Sequence, residues 1–146
     1  MSRSIEREIR IAAAPEVVYE VVSSPEHLRE WWPDEADYKP VPGGTGTVGF
    51  RQDDGTLTVG LTVLEAEPPR RFVFRWDYDG DTATPQNSVL VTFDLLAADG
   101  GTLLRFAETG FDEAAKSDEL FADHTSGWDY FLPRIAPYVA RLVARP

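Results

Sequence analysis

Residues 38–108 alternate between apolar and polar side chains in successive runs, and this pattern constrains the fold more than any other feature of the sequence. Turn sequences at Asp53-Asp54-Gly55 and Asp99-Gly100-Gly101, together with Pro68-Pro69, separate the runs. Since successive residues of a strand point to opposite faces, the pattern predicts an antiparallel sheet with one buried and one solvated face. The predicted strands cover residues 45–51, 56–67, 71–78, 87–96 and 102–108, and residues 3–11 form a first strand.

The alternation also predicts which side chains face the core. Trp76 and Phe106 lie on the apolar side of their strands, and Glu108 continues the inward register two residues after Phe106. Arg75 and Asp77 fall on the opposite, solvated side. The predicted inward sets are Leu57, Val59, Leu61 and Val63; Phe72, Phe74 and Trp76; Val89, Val91, Phe93 and Leu95; and Leu104 with Phe106.

Two short helices are predicted between the first strand and the rest of the sheet. Pro15 begins one of them, and Ser24 caps a second that ends near Trp31 and Trp32. Adjacent residues of a helix point about 100° apart. We therefore expect the two tryptophans to be unequally buried, with one of them at the entrance of a cavity.

A C-terminal helical segment carries one continuous apolar stripe. Pro133 and Pro137 interrupt it, and each removes a backbone hydrogen bond, so the segment is expected to be kinked. His124 lies one turn before Trp128 and therefore on the same inward side. The stripe consists of Trp128, Phe131, Leu132, Ile135, Val139 and Leu142.

Scattered motifs give the chain a family resemblance over nearly its whole length. It resembles the AHSA-type branch (activator of heat-shock-protein ATPase homologue) of the START-like, or SRPBCC, helix-grip superfamily. The resemblance implies an α+β fold, in which a curved antiparallel sheet of about six strands, two short helices and a long C-terminal helix surround a hydrophobic cavity. The motifs are Pro15-Glu16-x-Val18-Tyr19, Ser24-Pro25-Glu26-x-Leu28, Trp31-Trp32, Gly43-Gly44 and Gly127-Trp128.

Composition limits the classes of partner. Twenty-five acidic and fourteen basic residues give a net charge of -11, which argues against nucleic acids and anionic membranes, because proteins bind both through Lys and Arg. No stretch approaches the roughly 20 apolar residues that span a bilayer, and the sequence has no cysteine. We therefore expect a single START-like domain over residues 1–146, located in the cytoplasm and without disulfides.

Sequence motifs indicate neither a cofactor nor a metal. Residues 44–49 match the dinucleotide-binding pattern G-x-G-x-x-G, but that motif requires a turn into a helix, whereas here a β-branched run follows. We interpret it as a glycine-rich entry into a strand. His27 and His124 are the two histidines, and no carboxylate cluster with ligand-like spacing accompanies either. No catalytic residue is identified.

Aromatic residues form the main candidate site, because small-molecule pockets are lined mainly by apolar and aromatic side chains with a few polar groups. Simple packing in the core is the alternative interpretation of each ring. Glu108 and His124 are the polar candidates, and a pairing between them would raise the pKa of the imidazole. The predicted ligand-binding set is Trp32, Phe50, Phe74, Trp76, Phe106, Glu108, His124, Trp128, Phe131, Leu132 and Ile135.

Three functions are compatible with this sequence. The leading hypothesis is non-catalytic binding of a small hydrophobic or amphipathic ligand between the sheet and the C-terminal helix. The superfamily also includes cyclases and aromatases acting on polyketide-like substrates, and such an enzyme would need Glu108 and His124 as its acid/base pair. A third hypothesis is a chaperone- or protein-interaction module that uses its acidic surface. The family's name-giving members stimulate a chaperone ATPase with the help of a separate N-terminal domain absent from this sequence, so we extend the resemblance to the fold alone.

Overall fold

The computed structural model describes residues 3–114 and 117–144, in which an antiparallel sheet of seven strands carries helices on one face. The elements, in chain order, are β1 (Ile5–Ile11), α1 (Pro15–Ser23), α2 (Pro25–Trp31), β2 (Glu35–Asp37), β3 (Thr45–Gln52), β4 (Gly55–Glu67), β5 (Arg71–Tyr78), β6 (Val89–Ala98), β7 (Gly101–Thr109), α3 (Ser117–Phe131), a 3₁₀ turn (Leu132–Arg134) and α4 (Ile135–Val143).

The strands lie in the order β1-β7-β6-β5-β4-β3-β2, and every neighbouring pair is antiparallel. The predicted α+β helix-grip architecture is confirmed, with seven strands instead of about six. The strand that was not predicted, β2, pairs Ala36 with Val48 at the edge of the sheet. It has only three residues, which is too short for an alternating pattern to be recognised in the sequence.

The two short helices form where the sequence predicts them. Pro15 and Pro25 occupy the first positions of α1 and α2, where a missing backbone N–H has no helical partner to lose. Ser24 connects the helices, since its N–H donates to the carbonyl of Glu20 and its own carbonyl accepts from Leu28. The apolar sides of α1 and α2 therefore reach the same face of the sheet.

The C-terminal segment is broken rather than smoothly kinked. Pro133 lies in the 3₁₀ turn between α3 and α4, and Pro137 is the third residue of α4. Backbone N–H groups in the first turn of a helix have no intrahelical acceptor, so a proline there removes no hydrogen bond. The two prolines thus divide the predicted helix into two and remain compatible with both halves.

The expectation of unequal burial for Trp31 and Trp32 is wrong. Their exposed fractions are 1% and 5%, and their rings stack with centroids 6.1 Å apart. Trp32 follows the last residue of α2 and has φ -123° and ψ -94°, so the angular spacing of helical residues does not apply to it. The Trp31 indole donates to the carbonyl of Val21 in the core, whereas Trp32 turns toward the sheet and α3.

Candidate functional site

A hydrogen-bond network surrounds the carboxylate of Glu108, on the inward face of β7. This side chain is fully buried. The indole nitrogens of Trp76 and Trp128 donate to its Oε2 and Oε1 at 2.7 and 2.8 Å, and Nδ1 of His124 lies 2.8 Å from Oε1. A buried carboxylate without partners would be strongly destabilising. Donors from β5 and α3 therefore explain how the core accommodates this group, and they join the helix to the sheet.

His124 is held between two carboxylates. Its Nδ1 faces Glu108, and its Nε2 lies 2.7 Å from Oδ2 of Asp77. A neutral imidazole can donate from only one nitrogen, so two carboxylate partners favour the imidazolium. Burial lowers the pKa of His124, but the hydrogen bonds and negative charges of Asp77 and Glu108 outweigh it and raise the pKa to about 9. The ring is consequently protonated at neutral pH.

Asp77 reaches His124 because of an irregularity in β5. Trp76 pairs with Leu61 and Tyr78 pairs with Gly60, so Asp77 has no partner residue in β4. Its φ of 66° lies in the left-handed region, which Asp enters more readily than most residues. Such a bulge redirects a side chain. The assignment of Asp77 to the solvated face is therefore wrong, because strict alternation does not hold across a bulge.

A pocket of about 80 Å³ lies beside this network, between α3 and the sheet. Trp32 contacts three of the other rings that line it. Its ring centroid lies 4.8 Å from those of Trp76 and Trp128 and 6.0 Å from that of Phe50. Phe50 and Phe131 are half-buried and form the outer wall. The lining residues are Trp32, Phe50, Trp76, Asp123, His124, Gly127, Trp128 and Phe131.

Six of the eleven candidate ligand-binding residues line this pocket, and their role in binding stays a prediction. Glu108 does not line it and is connected to it through its hydrogen-bonded neighbours. The remaining four candidates are buried in the core and do not line the pocket; these are Phe74, Phe106, Leu132 and Ile135.

Sequence reasoning did not assign Asp123 or Gly127 to the site. The sequence could have pointed to Gly127, because an isolated glycine inside a helix lowers helix stability by about 1 kcal/mol relative to alanine. Such a glycine indicates a packing or functional reason for its presence. A Cβ built on Gly127 meets no atom within 4 Å. Asp123 is an exposed acidic residue on a helix, and nothing in its sequence position distinguishes it from the others.

Residues 3–114 and 117–144 contain no group of three or more His, Cys, Asp or Glu side chains arranged to hold a metal ion. In the same described ranges, no helix has the length and apolar character needed to cross a bilayer.

Comparisons with known proteins agree on the family and the fold. The family described as Activator of Hsp90 ATPase homolog 1-like protein matches residues 12–140. A protein from Mesorhizobium loti is 24% identical in sequence, with a TM-score of 0.76 over 95% of this chain and 98% of that chain. The Aha1 dimer from Colwellia psychrerythraea is 21% identical, with a TM-score of 0.71 over 94% and 96%. CalU16 from Micromonospora echinospora is 22% identical, with a TM-score of 0.72 over 99% and 80%. No curated protein matches the chain.

Proposed function

We propose that this chain, which belongs to the Activator of Hsp90 ATPase homolog 1-like family, binds a small hydrophobic or amphipathic molecule without catalysing a reaction on it. The observation that carries the proposal is the pocket between α3 and the sheet, where aromatic rings from α3, β3, β5 and the end of α2 converge. Aromatic walls with few polar groups are typical of small-molecule sites.

The size of the pocket limits what enters it. Its volume of about 80 Å³ is well below the roughly 300–1,000 Å³ of pockets that enclose drug-sized ligands. An engineered cavity of about 150 Å³ holds a benzene molecule. The pocket therefore encloses only a compact group or one edge of an aromatic ring, and the rest of the ligand extends outward past the half-buried rings of Phe50 and Phe131.

The network behind the pocket favours binding over catalysis. A cyclase- or aromatase-like reaction needs an acid or base that can exchange a proton with its substrate. Both ring nitrogens of His124 are already bound to carboxylates, and both oxygens of Glu108 already accept hydrogen bonds from protein groups. These groups are arranged to hold one another in place.

Gly127 gives independent support for a site at this position. Alanine would stabilise the middle of α3, yet the residue that lines the pocket has no side chain. Open space surrounds the position where a Cβ would lie. A glycine here keeps the opening wide, which explains why its cost to the helix is tolerated.

The proposal can be tested by following the four Trp indole N–H signals by NMR while benzyl alcohol is titrated into the protein. Trp32, Trp76 and Trp128 line the pocket, so their signals should shift and saturate together. Trp31 is the internal control, because it does not line the pocket and its indole N–H donates to the carbonyl of Val21, so its signal should shift less than the other three. Shifts that do not saturate, or an equal shift at Trp31, would contradict the proposal.

A further inference from the structure

We infer that the aromatic pocket selects a compact organic cation, such as a trimethylammonium group, over an uncharged group of the same shape. This inference rests on the proposed function and adds the chemical class of the ligand. Three features of the described residues support it: the orientation of the rings, the charges around the pocket and the prior engagement of the hydrogen-bond donors.

The rings approach the pocket from several directions. The Trp32 and Trp76 planes are 79° apart, those of Trp32 and Trp128 are 36° apart, and those of Phe50 and Phe131 are 48° apart. The face of an aromatic ring is electronegative and attracts cations within about 6 Å of its centroid, and sets of such rings are a common way of recognising quaternary ammonium groups. Phe131 already shows this behaviour, because the guanidinium carbon of Arg134 lies 6.0 Å from its ring centroid.

Formal charges around the pocket sum to a negative value even when the guanidinium of Arg134 beside Phe131 is counted. Asp123 contributes one negative charge from the lining. His124 also lines the pocket and brings a positive charge to the wall, but the carboxylates of Asp77 and Glu108 flank its ring, so this group of three carries one net negative charge. A pocket with low-dielectric walls concentrates the field of such charges. The net charge of the whole chain, -11, adds a general attraction for cations.

Most side-chain donors of the pocket that would suit an anion or a polar neutral ligand are already used, and among the described residues the Trp32 indole N–H is the exception. The indole N–H groups of Trp76 and Trp128 donate to Glu108. The two ring nitrogens of His124 face carboxylates. An anion entering the pocket would therefore meet net negative charge and could gain a hydrogen bond from the Trp32 indole but not from these donors, whereas a trimethylammonium group needs none.

Choline and its carbon isostere dimethylbutanol provide the test, because they differ only in replacing the charged nitrogen with carbon. Both are titrated at matched ionic strength, with the indole signals of Trp32, Trp76 and Trp128 as the readout. Choline should bind at least about tenfold more tightly than dimethylbutanol. Added sodium chloride should weaken the binding of choline but not that of dimethylbutanol. Equal affinities, or tighter binding of dimethylbutanol, would overturn the inference while leaving the proposed function intact.

A saturable response to neither compound would overturn both the inference and the proposed function.

Two variants of α3 locate the charge effect. Asp123→Asn should weaken choline binding about two- to fivefold and leave dimethylbutanol unchanged. Glu119→Gln removes the same charge from an exposed residue of the same helix that does not line the pocket, and should weaken choline less. An equal effect of both variants would contradict a local role for Asp123.

Discussion

His124 and Glu108 stabilise each other in a part of the core where either alone would be unfavourable. A buried imidazolium needs acceptors, and a buried carboxylate needs donors. The structure supplies both within 2.8 Å, and Asp77 completes the arrangement from the other side of the ring. At the scale of single residues, the site is therefore a charge network that fixes Trp76 and Trp128, the two indoles that form the inner wall of the pocket.

Replacing Glu108 with glutamine tests this network. Glu108→Gln keeps an acceptor for the indole groups but removes a negative charge beside His124, so the pKa of His124 should fall from about 9. Asp77→Asn should lower it as well. NMR titration of the His124 ring measures the pKa in each protein, with His27→Gln used to assign the two histidine signals. The same pKa in the wild type and in both variants would show that the groups are not coupled.

The raised pKa also predicts how stability depends on pH. The folded protein holds the His124 proton more tightly than the unfolded chain, so its contribution is complete below the unfolded pKa of 6.5 and is lost as pH rises through about 9. We expect the free energy of unfolding to fall over this range by up to about 3 kcal/mol. Urea unfolding at several pH values measures this loss, which should persist in His27→Gln. Constant or increasing stability across the range would contradict the account.

The sequence predicts part of this network and not the rest. Strand alternation predicts that Glu108 faces inward, and helical spacing places His124 on the same side as Trp128, so two simple periodicities are enough to propose a pairing between them. Asp77 is different. Its position depends on an extra residue in β5 opposite Gly60 and Leu61. An isolated glycine in a strand is a sign of a bulge or of close packing, but Gly60 does not specify which strand carries the extra residue or which side chain it redirects.

At the scale of elements, glycines at two positions serve different purposes. Gly127 lies in the middle of α3 with open space where a side chain would extend. Gly60 lies in β4 under the ring of Tyr78, whose hydroxyl is 2.6 Å from the hydroxyl oxygen of Thr62. A Cβ at Gly60 would be 2.4 Å from a carbon of that ring. One glycine preserves an opening, and the other allows two groups to pack closely.

Alanine substitutions should separate these two cases. Gly127→Ala should raise the free energy of unfolding by about 0.5–1 kcal/mol, since it removes the entropic cost of a helical glycine. Gly60→Ala should lower it by about 1–3 kcal/mol, because the Tyr78 ring must move. Thermal or urea unfolding of both variants measures the difference. A destabilising Gly127→Ala would show that the space beside α3 is not open.

The long strands and the two short helices can be predicted from the sequence, whereas the break in the C-terminal helical segment cannot. The long strands are predicted because their alternation extends over many residues, and the two short helices because a proline occupies the first position of each. Ser24 lies at the predicted N-cap position of α2, but its side chain makes no capping hydrogen bond and donates to Glu26 instead. From the sequence, the break between α3 and α4 is predicted only as a kink. Pro137 could interrupt a helix or lie in the first turn of a new one, and the preceding 3₁₀ turn decides between these two cases.

At the scale of the whole molecule, aromatic side chains nearly fill the space between the sheet and the helices. Strand alternation and the apolar stripe predict a sheet covered by helices, and the family resemblance implies a cavity between them. The sequence does not predict how much space remains, because that depends on the packing of individual rings. The predicted cavity is reduced to a pocket of about 80 Å³ at one end, where Trp32 lies close to Trp76 and Trp128.

The central claim is that this pocket is a binding site, and blocking it is the most direct test. Calorimetry with benzyl alcohol would compare the wild type with Gly127→Leu, which places a side chain at the pocket, and with Ser126→Leu, which adds the same bulk to the neighbouring exposed position. The account predicts that Gly127→Leu weakens binding at least about tenfold while Ser126→Leu binds like the wild type. Wild-type affinity in a folded Gly127→Leu protein would contradict it.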